Sequence, residues 1–212
     1  MPMSLLATTA FVAYLSQTVP QVQQREISEK NIHIKYPEIA NAAQFNATVH
    51  QILNPVVQTF KDEMAKPNDS DAAGYVNGRY TTATLKTGIV SVLLEWTVYV
   101  PGAAHPGGFM ASINYDTRAG RVLALPDLFR PKSNYLTQLS QLAIASLEQN
   151  EFADQYALHQ GAGAVESNFK VFTLSDTTLI LHFPTYQVAA GAAGPQEVVI
   201  PLDTLAPLLR KR

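Results

Sequence analysis

The chain has 212 residues, of which 47% are apolar and 15% charged. These proportions are typical of a globular protein with a proper core, built as one domain or as two small intertwined lobes, and they exclude a disordered chain. A net charge of −2 gives no electrostatic footprint for nucleic acid or an anionic membrane surface, and the absence of cysteine excludes disulfides, thiolate nucleophiles and cysteine-based zinc sites.

The N-terminal stretch carries the clue to a cellular compartment. Residues 3–15 are mostly apolar, and residues 16–24 form a polar, linker-like stretch. The length of the apolar run suits the core of an export signal better than a complete membrane span. No Lys or Arg precedes it, whereas a secretory signal normally begins with positive charge, so a buried N-terminal helix is the alternative. We therefore predict a secreted, periplasmic or otherwise extracytoplasmic protein with an atypical signal or anchor and no further stable membrane span.

The next part of the chain is predicted to form a strand and then a helix. Alternation around two isoleucines predicts a strand over residues 27–35, which Tyr36 and Pro37 end. Apolar residues at helical spacing predict a helix over residues 39–64. Pro55 is expected to kink this helix or to mark a break in it.

A β-hairpin is predicted after a polar loop. Its strands cover residues 75–86 and 89–100, and its turn is formed by Thr87 and Gly88. The pair Asn77-Gly78 lies inside the first strand and predicts either a bulge or a second tight turn. Trp96 is predicted to be a core residue on a central strand.

A second hairpin is predicted over residues 109–125, after an irregular loop. Its turn is the sequence DTRAG, in which Asp116 supplies turn chemistry and Gly120 takes the left-handed conformation. A helix over residues 134–150, capped by Ser133, should follow. The Gly- and Ala-rich residues 161–164 argue for a loop.

Residues 181–201 are the stretch around which the last part of the chain is organised. A strand with two apolar faces, predicted to be central, ends at Pro184. A small-residue loop follows, and a second strand closes at Pro201. A further strand over residues 169–174 pairs with the first of these. Because strands and helices do not alternate strictly, the fold class is predicted to be α+β, an antiparallel or mixed sheet with helices packed mainly on one face.

Three pieces of sequence, read in order, resemble a known family. They are the loop Gly102-Ala103-Ala104-His105-Pro106, the run NYDTRAGRVLALPDLF over residues 114–129, and the run FPTYQVAAGAAGPQEVVIP over residues 183–201. Together they resemble the DUF3298 domain, which is often preceded by a DUF4163 segment. Two positions depart from the pattern: Ala103 stands where a second glycine is usual, and Ala190-Gly191 where Pro-Tyr is usual.

This resemblance implies a domain organisation. Residues 1–24 would be a signal or anchor segment with a linker, residues 25–87 a DUF4163-like part, and residues 88–212 a DUF3298-like part. The last two would form one compact unit. The resemblance extends to the extracytoplasmic domain of a lysozyme-sensing anti-sigma factor, and the domain also accompanies polysaccharide deacetylases. It therefore implies a place in the bacterial cell envelope, with a lysozyme-type protein or peptidoglycan as partner; the net charge argues against nucleic acid.

The candidate binding residues lie in two small-residue loops, where function commonly resides. They are Gly102, His105, Pro106, Tyr186, Gly191 and Gly194. For His105 the alternative is a hydrogen bond that merely holds its loop. For Tyr186 the alternative is a ring that anchors its loop by packing, although aromatic residues are favoured at interfaces. His182, in an apolar strand, is predicted to be a satisfied core or edge histidine rather than a ligand.

The sequence shows no spacing typical of a metal site, no nucleophile motif and no phosphate-binding loop. We assign no catalytic residue, no metal and no cofactor. Three hypotheses remain. The first is a non-catalytic extracytoplasmic binding or sensing module, the second a hydrolase that uses His105 with a nearby carboxylate, and the third a structural domain of the envelope.

Overall fold

The computed structural model describes residues 20–67, 72–149 and 154–211. Within them the chain forms a six-stranded sheet and a three-stranded sheet. The larger sheet runs in chain order through β1 (Val22–Glu29), β2 (Ile32–Ile39), β3 (Tyr75–Thr84), β4 (Ile89–Tyr99), β5 (Gly107–Asp116) and β6 (Arg121–Leu123). Only β2 and β3 pair in parallel, so this sheet is mixed. The predicted α+β class is confirmed.

The smaller sheet is antiparallel and holds β8 at its centre. Its strands are β7 (Phe172–Leu174), β8 (Thr178–Phe183) and β9 (Gln196–Pro201). The helices are α1 (Ala43–Met64), α2 (Tyr135–Leu147), α3 (Gln155–Gly161) and α4 (Leu202–Leu205). Short 3₁₀ turns lie at Leu125–Leu128, Glu166–Phe169 and Gly191–Ala193. The strand after residue 169 therefore starts three residues later than predicted.

The first strands differ from the prediction. The single strand expected over residues 27–35 is a hairpin of β1 and β2, turning at Asn31 with a positive φ. Pro37 does not end β2 but lies buried inside it. Pairing with β3 covers only Ile32–Ile34. Pro37 lies beyond these residues, so its missing N–H removes no hydrogen bond between β2 and β3.

The predicted linker over residues 16–24 is also partly wrong, since β1 already begins at Val22. The predicted export signal lies outside the described residues. Among the helices of the described ranges, none combines the length and the apolarity that crossing a membrane requires.

Helix α1 covers one face of the larger sheet. Phe45, Val49 and Leu53 are buried on α1 and pack with Val90 and Val92 of β4. Each such side chain contributes about 1.5–3 kcal/mol by leaving water. The helix runs through Pro55 without a break, at a position exposed to solvent.

The hairpin of β3 and β4 is confirmed, with Gly88 in the turn at φ +83°. The bulge or turn predicted at Asn77-Gly78 is wrong, because both residues pair regularly with β4. Gly78 has a different role. A Cβ there would meet the Ile34 side chain at 2.7 Å, so glycine permits the close approach of β2 and β3.

A second core joins α2 to the smaller sheet. Leu139 and Ala143 of α2 pack with Leu179, Leu181 and the other buried residues of that sheet. The predicted cap of α2 is wrong: Asn134 occupies the N-cap position, and the buried Ser133 hydroxyl makes no hydrogen bond within the described structure.

The two sheets meet at a buried polar junction. The Ser91 hydroxyl donates to the Asn114 side-chain oxygen at 2.7 Å, and the Asn114 amide donates to the Phe172 carbonyl oxygen at 2.9 Å. The Leu174 N–H donates to Ser91 Oγ at 2.8 Å, and the Phe172 N–H to Ser112 Oγ at 2.9 Å. Side chains of β4 and β5 thus satisfy the free edge of β7.

Candidate functional site

Two loops converge at one end of the molecule, the first between β4 and β5 and the second between β8 and β9. Between them lies a groove of about 770 Å³, here called the loop groove. It is lined by His105, Pro106, Gly107, Gly108, Phe109, Pro184, Thr185, Tyr186, Gly191 and Ala192. Four of the six candidate binding residues therefore share one concave surface.

His105 connects the two loops. Its Nδ1 lies 3.0 Å from the Pro106 carbonyl oxygen, and its Nε2 lies 3.4 Å from the Tyr186 hydroxyl. Because a carbonyl only accepts, Nδ1 must carry the proton, and in the neutral ring Nε2 then accepts from the tyrosine hydroxyl. The bond to Pro106 is the loop-holding contact that was the alternative for His105, and the bond to Tyr186 adds a contact with the opposite loop. Both partners are uncharged groups rather than carboxylates.

Tyr186 stands on the rim of the loop groove. The residue is 64% exposed, and its backbone has φ +74°, a conformation unusual for a residue with a Cβ. The ring lies directly over Gly191, where any Cβ would overlap it. Glycine at position 191 is therefore what allows the ring to rest there, in an exposed position rather than in the core.

The residues after Tyr186 anchor the loop that presents it. The Gln187 side-chain amide donates to the Gly161 carbonyl oxygen at 2.8 Å and to the Asn168 carbonyl oxygen at 2.9 Å. Val188 is buried in the core of the smaller sheet. Three successive residues thus have three different roles: Tyr186 exposes its ring, Gln187 ties the loop to neighbouring carbonyl groups, and Val188 packs in the core.

Gly161 receives this anchored loop. It is the last residue of α3, and a Cβ there would collide with the Gln187 carbonyl group. The loop predicted over residues 161–164 therefore begins one residue later than predicted, at Ala162. The start of α3 was not predicted, although Asp154 accepts from the Tyr156 and Ala157 N–H groups as a regular N-cap.

The two remaining candidate residues lie apart from the loop groove lining. Gly102 has φ +89° and Gly194 φ +68°, and no heavy atom lies within 4 Å of a Cβ built on either. Their positive φ values explain the choice of glycine as a requirement of the turn. Neither residue brings a side chain to a ligand.

A second groove, of about 470 Å³, adjoins the first and is here called the sheet groove. It shares Gly108, Phe109 and Thr185 with the loop groove, so the two form one continuous depression. Its other lining residues are Asn77, Gly78, Arg79, Glu95, Trp96, Thr97, Met110 and Pro195. The sequence prediction missed these residues.

An ion pair lies in the sheet groove. Arg79 Nε lies 3.1 Å from Glu95 Oε2, and Arg79 Nη2 lies 3.4 Å from Glu95 Oε1. The two residues are directly opposite in the register of β3 and β4. Counting outward from the Thr87-Gly88 turn could have revealed this cross-strand pair from sequence.

Phe109 stands where the two grooves join. The residue is 50% exposed, and its ring stacks on the half-buried Trp96, with ring centroids 6.0 Å apart and planes 16° from parallel. Trp96 therefore lies on an interior strand, as predicted, but is only half-buried and not a fully buried core residue. The stack holds the exposed Phe109 ring in a fixed orientation.

His182 is a satisfied, buried histidine, as predicted. Its side chain reaches the Thr173 hydroxyl from Nε2 at 2.8 Å, and Nδ1 lies 3.8 Å from Glu197. Burial lowers the pKa of His182 below its ordinary value, against the opposing pull of the Glu197 and Glu95 carboxylates. The separation from Glu197 is too long for a hydrogen bond.

Asp127, in the motif Pro-Asp-Leu-Phe, has a structural role. It accepts from the Arg121 guanidinium at 3.0 and 3.3 Å and from the Ala124 N–H at 2.9 Å. The hydrogen bond from Arg121 lowers the pKa of this carboxyl. The motif therefore closes the turn after β6. Across the described ranges, no group of three or more His, Asp or Glu side chains is placed to hold a metal ion.

Two solved structures share the fold: a DUF3298 family member from Bacteroides fragilis (16% identity, TM-score 0.59, 91% of this chain and 95% of that one) and another from Pseudomonas aeruginosa (15% identity, TM-score 0.60, 90% and 93%). These likenesses define the class of protein as one with the DUF3298 fold.

Part of the sequence also matches a family model. Residues 126–203 match the model of the family described as protein of unknown function DUF3298, which confirms the predicted resemblance over that part of the chain. The assignment of residues 25–87 to a DUF4163-like part, and the domain boundaries, stay predictions.

A curated relative adds a link to the cell wall. The chain is 26% identical over 186 residues to the peptidoglycan-N-acetylmuramic acid deacetylase PdaC of Bacillus subtilis. The match covers 86% of this chain but only 39% of that protein. The chain thus spans about two fifths of the length of the relative, whose activity belongs to that whole protein.

Proposed function

We propose that this chain is a non-catalytic, extracytoplasmic binding module that holds peptidoglycan glycan in the loop groove. The observation that carries the proposal is the pair of exposed aromatic rings, Phe109 and Tyr186, which line the same groove from two different segments. An aromatic ring offers a flat apolar surface to the C–H face of a sugar, and a phenol adds a hydrogen-bonding group.

The polar lining of the groove suits the same ligand. His105 and Thr185 line the same groove and carry hydrogen-bonding groups. Sugars carry hydroxyl and acetamido groups around an apolar face, so they need this combination of apolar and polar contacts. The link by sequence to a protein named as a peptidoglycan deacetylase supports a ligand from the cell wall.

The contacts of His105 favour binding over hydrolysis. A histidine that acts as general base needs a group to orient it, and a carboxylate is the usual choice. His105 instead pairs with the Pro106 carbonyl oxygen and the Tyr186 hydroxyl. We therefore infer that it shapes the groove and contacts the ligand rather than moving a proton.

The test is co-sedimentation of the purified protein with insoluble peptidoglycan, followed by calorimetry with soluble fragments. Tyr186→Ala and Phe109→Ala are expected to weaken binding about tenfold each, as truncation of buried aromatic contacts commonly does. Tyr156→Ala is the matched control, because Tyr156 is 77% exposed on α3 and does not line either groove. Equal losses in all three variants, or no binding by folded wild-type protein, would overturn the proposal.

A lysozyme-type protein is the second candidate partner, in a sensing role. The observation that favours it is the exposed Tyr186 ring on a loop rim, since tyrosine is enriched among residues that dominate protein interfaces. Calorimetry with lysozyme decides between the partners. Binding of lysozyme without binding of glycan would replace the first proposal, and binding of neither would leave the structural envelope domain.

The extracytoplasmic location is part of the proposal. It is supported by the relative, whose name places its substrate in peptidoglycan. Cell fractionation, with mass spectrometry of the mature N-terminus, tests it. A protein that stays in the cytoplasm with an unprocessed N-terminus would contradict both the location and a role at the wall.

A further inference from the structure

The sheet groove extends the loop groove, and its chemistry is different. The loop groove contains no charged Lys, Arg, Asp or Glu side chain among its lining residues, whereas the sheet groove contains Arg79 and Glu95. A ligand long enough to lie in both would pass over Phe109, which is shared by the two. Different parts of such a ligand would meet different chemistry.

Arg79 is an exposed, charged donor in the sheet groove. Its side chain is 76% exposed, whereas that of Glu95 is 26% exposed. The bonds to Glu95 run from Nε and one terminal nitrogen, and they hold the guanidinium plane in one orientation. A guanidinium carries five N–H donors, so it can donate hydrogen bonds to a second carboxylate while it stays bonded to the first.

The Arg79–Glu95 ion pair contributes little to the stability of the fold. Exposed pairs of this kind typically contribute about 0–1 kcal/mol. The neighbouring polar side chains, Asn77 and Thr97, add an amide and a hydroxyl on the same surface. Together these groups form a site suited to a carboxylate with adjoining amide groups.

We propose that Arg79 binds a carboxylate of the peptide that peptidoglycan glycan carries, so that the chain prefers peptide-bearing muropeptides to uncharged glycan. This inference rests on the proposed function, because it assigns a second subsite to the same ligand. The sugar lies in the loop groove, and its acidic peptide reaches the sheet groove past Phe109 and Thr185.

The test uses three probes on the full chain by calorimetry. They are a disaccharide with its acidic peptide, the same disaccharide without peptide, and an uncharged N-acetylglucosamine tetrasaccharide. Wild-type protein is expected to bind the first about tenfold more tightly than the third, as a charge-assisted contact allows. Equal binding of the first two, both above the third, would place the carboxylate on the sugar and would overturn the peptide assignment.

Three variants separate recognition from structure. Arg79→Gln is expected to abolish the preference for the peptide-bearing probe and to leave binding of the tetrasaccharide unchanged. Glu95→Gln breaks the same ion pair but leaves the guanidinium, so it should keep or raise the preference. Arg25→Gln removes a similar cross-strand pair with Glu38 on β1 and β2; neither residue lines either groove, so this change should leave binding of all three probes unaltered.

The outcomes distinguish this inference from the function on which it rests. If wild-type protein binds all three probes equally, the carboxylate subsite is wrong and glycan binding stands. If Arg79→Gln and Glu95→Gln lose the preference alike, the pair is structural and the inference fails. If folded wild-type protein binds none of the probes, the proposed function fails first.

Discussion

Ser91 and Asn114 are joined by a buried hydrogen bond of 2.7 Å between β4 and β5, near the turn-proximal end of β4 and the last residues of β5. Both side chains point away from α1, toward β7, and each forms a second bond to the main chain of that strand. Polar residues inside a sheet are costly unless they are satisfied. This pair is satisfied because β7 is an edge strand, and its main-chain groups on the free side form hydrogen bonds with these two side chains instead of with another strand.

The first prediction concerns this junction. Asn114→Ala should lower the free energy of unfolding by about 2–3 kcal/mol, because it leaves the buried Phe172 carbonyl oxygen without its donor. Denaturant titration measures the change. Asn54→Ala, at an exposed position of α1, is the control and should stay within about 0.5 kcal/mol. A loss at Asn114 no larger than that of the control would show that the junction contributes little.

The second prediction concerns the anchor of the Tyr186 loop. Gly161→Ala should destabilise the fold by about 1–3 kcal/mol, because its Cβ would overlap the Gln187 carbonyl group and force the backbone apart. Gly108→Ala is the matched control, because its Cβ would enter open space and its φ is not positive. Thermal unfolding of both variants compares them directly. Equal melting temperatures for the two would contradict the close packing of α3 against the loop.

The third prediction tests whether Gly191 acts through Tyr186. Gly191→Ala should displace the Tyr186 ring and weaken glycan binding about tenfold, as loss of an aromatic contact does. In a chain that already carries Tyr186→Ala, the same change at position 191 should have little further effect. A double-mutant cycle by calorimetry gives the coupling. Additive losses would show that Gly191 affects binding independently of the ring.

The fourth prediction concerns pH. Burial lowers the pKa of His182 below its ordinary value of 6.5, so the folded protein holds this ring neutral at pH values where the unfolded chain begins to protonate. This contribution to stability is complete above pH 6.5 and is lost as pH falls toward the lowered pKa, with a slope of up to about 1.4 kcal/mol per pH unit.

The measurement for His182 is the free energy of unfolding between pH 8 and pH 5, for wild type and for His182→Gln. The variant is expected to be less stable at pH 8, since it loses the hydrogen bond with Thr173, and to lose less further stability on acidification. Parallel curves for the two proteins would show that His182 does not carry this part of the pH dependence.

Much of the local structure was predictable because it depends on neighbouring residues. The turns at Gly88 and Gly120 take positive φ values, which glycine adopts without strain. The α1 helix follows from apolar residues at helical spacing, and β8 is central because both of its faces are apolar. In each case the information lies within a short stretch of chain.

Other features depend on partners that lie far away in sequence. Pro37 is tolerated within β2 because pairing with β3 stops before it, and Gly78 is needed because Ile34 lies against it. Neither neighbour can be identified from the surrounding residues. A local reading therefore took Pro37 as a strand end and Gly78 as part of a bulge or turn.

The candidate site shows the same division. The sequence by itself determined the two small-residue loops, with His105 and Tyr186 in them, and a match to the DUF3298 family model that includes the second loop. Only the tertiary structure decided that these loops face each other and that their groove continues to Arg79. The reason is physical: glycine requirements and burial patterns act over a few residues, whereas a groove forms between segments that folding alone brings together.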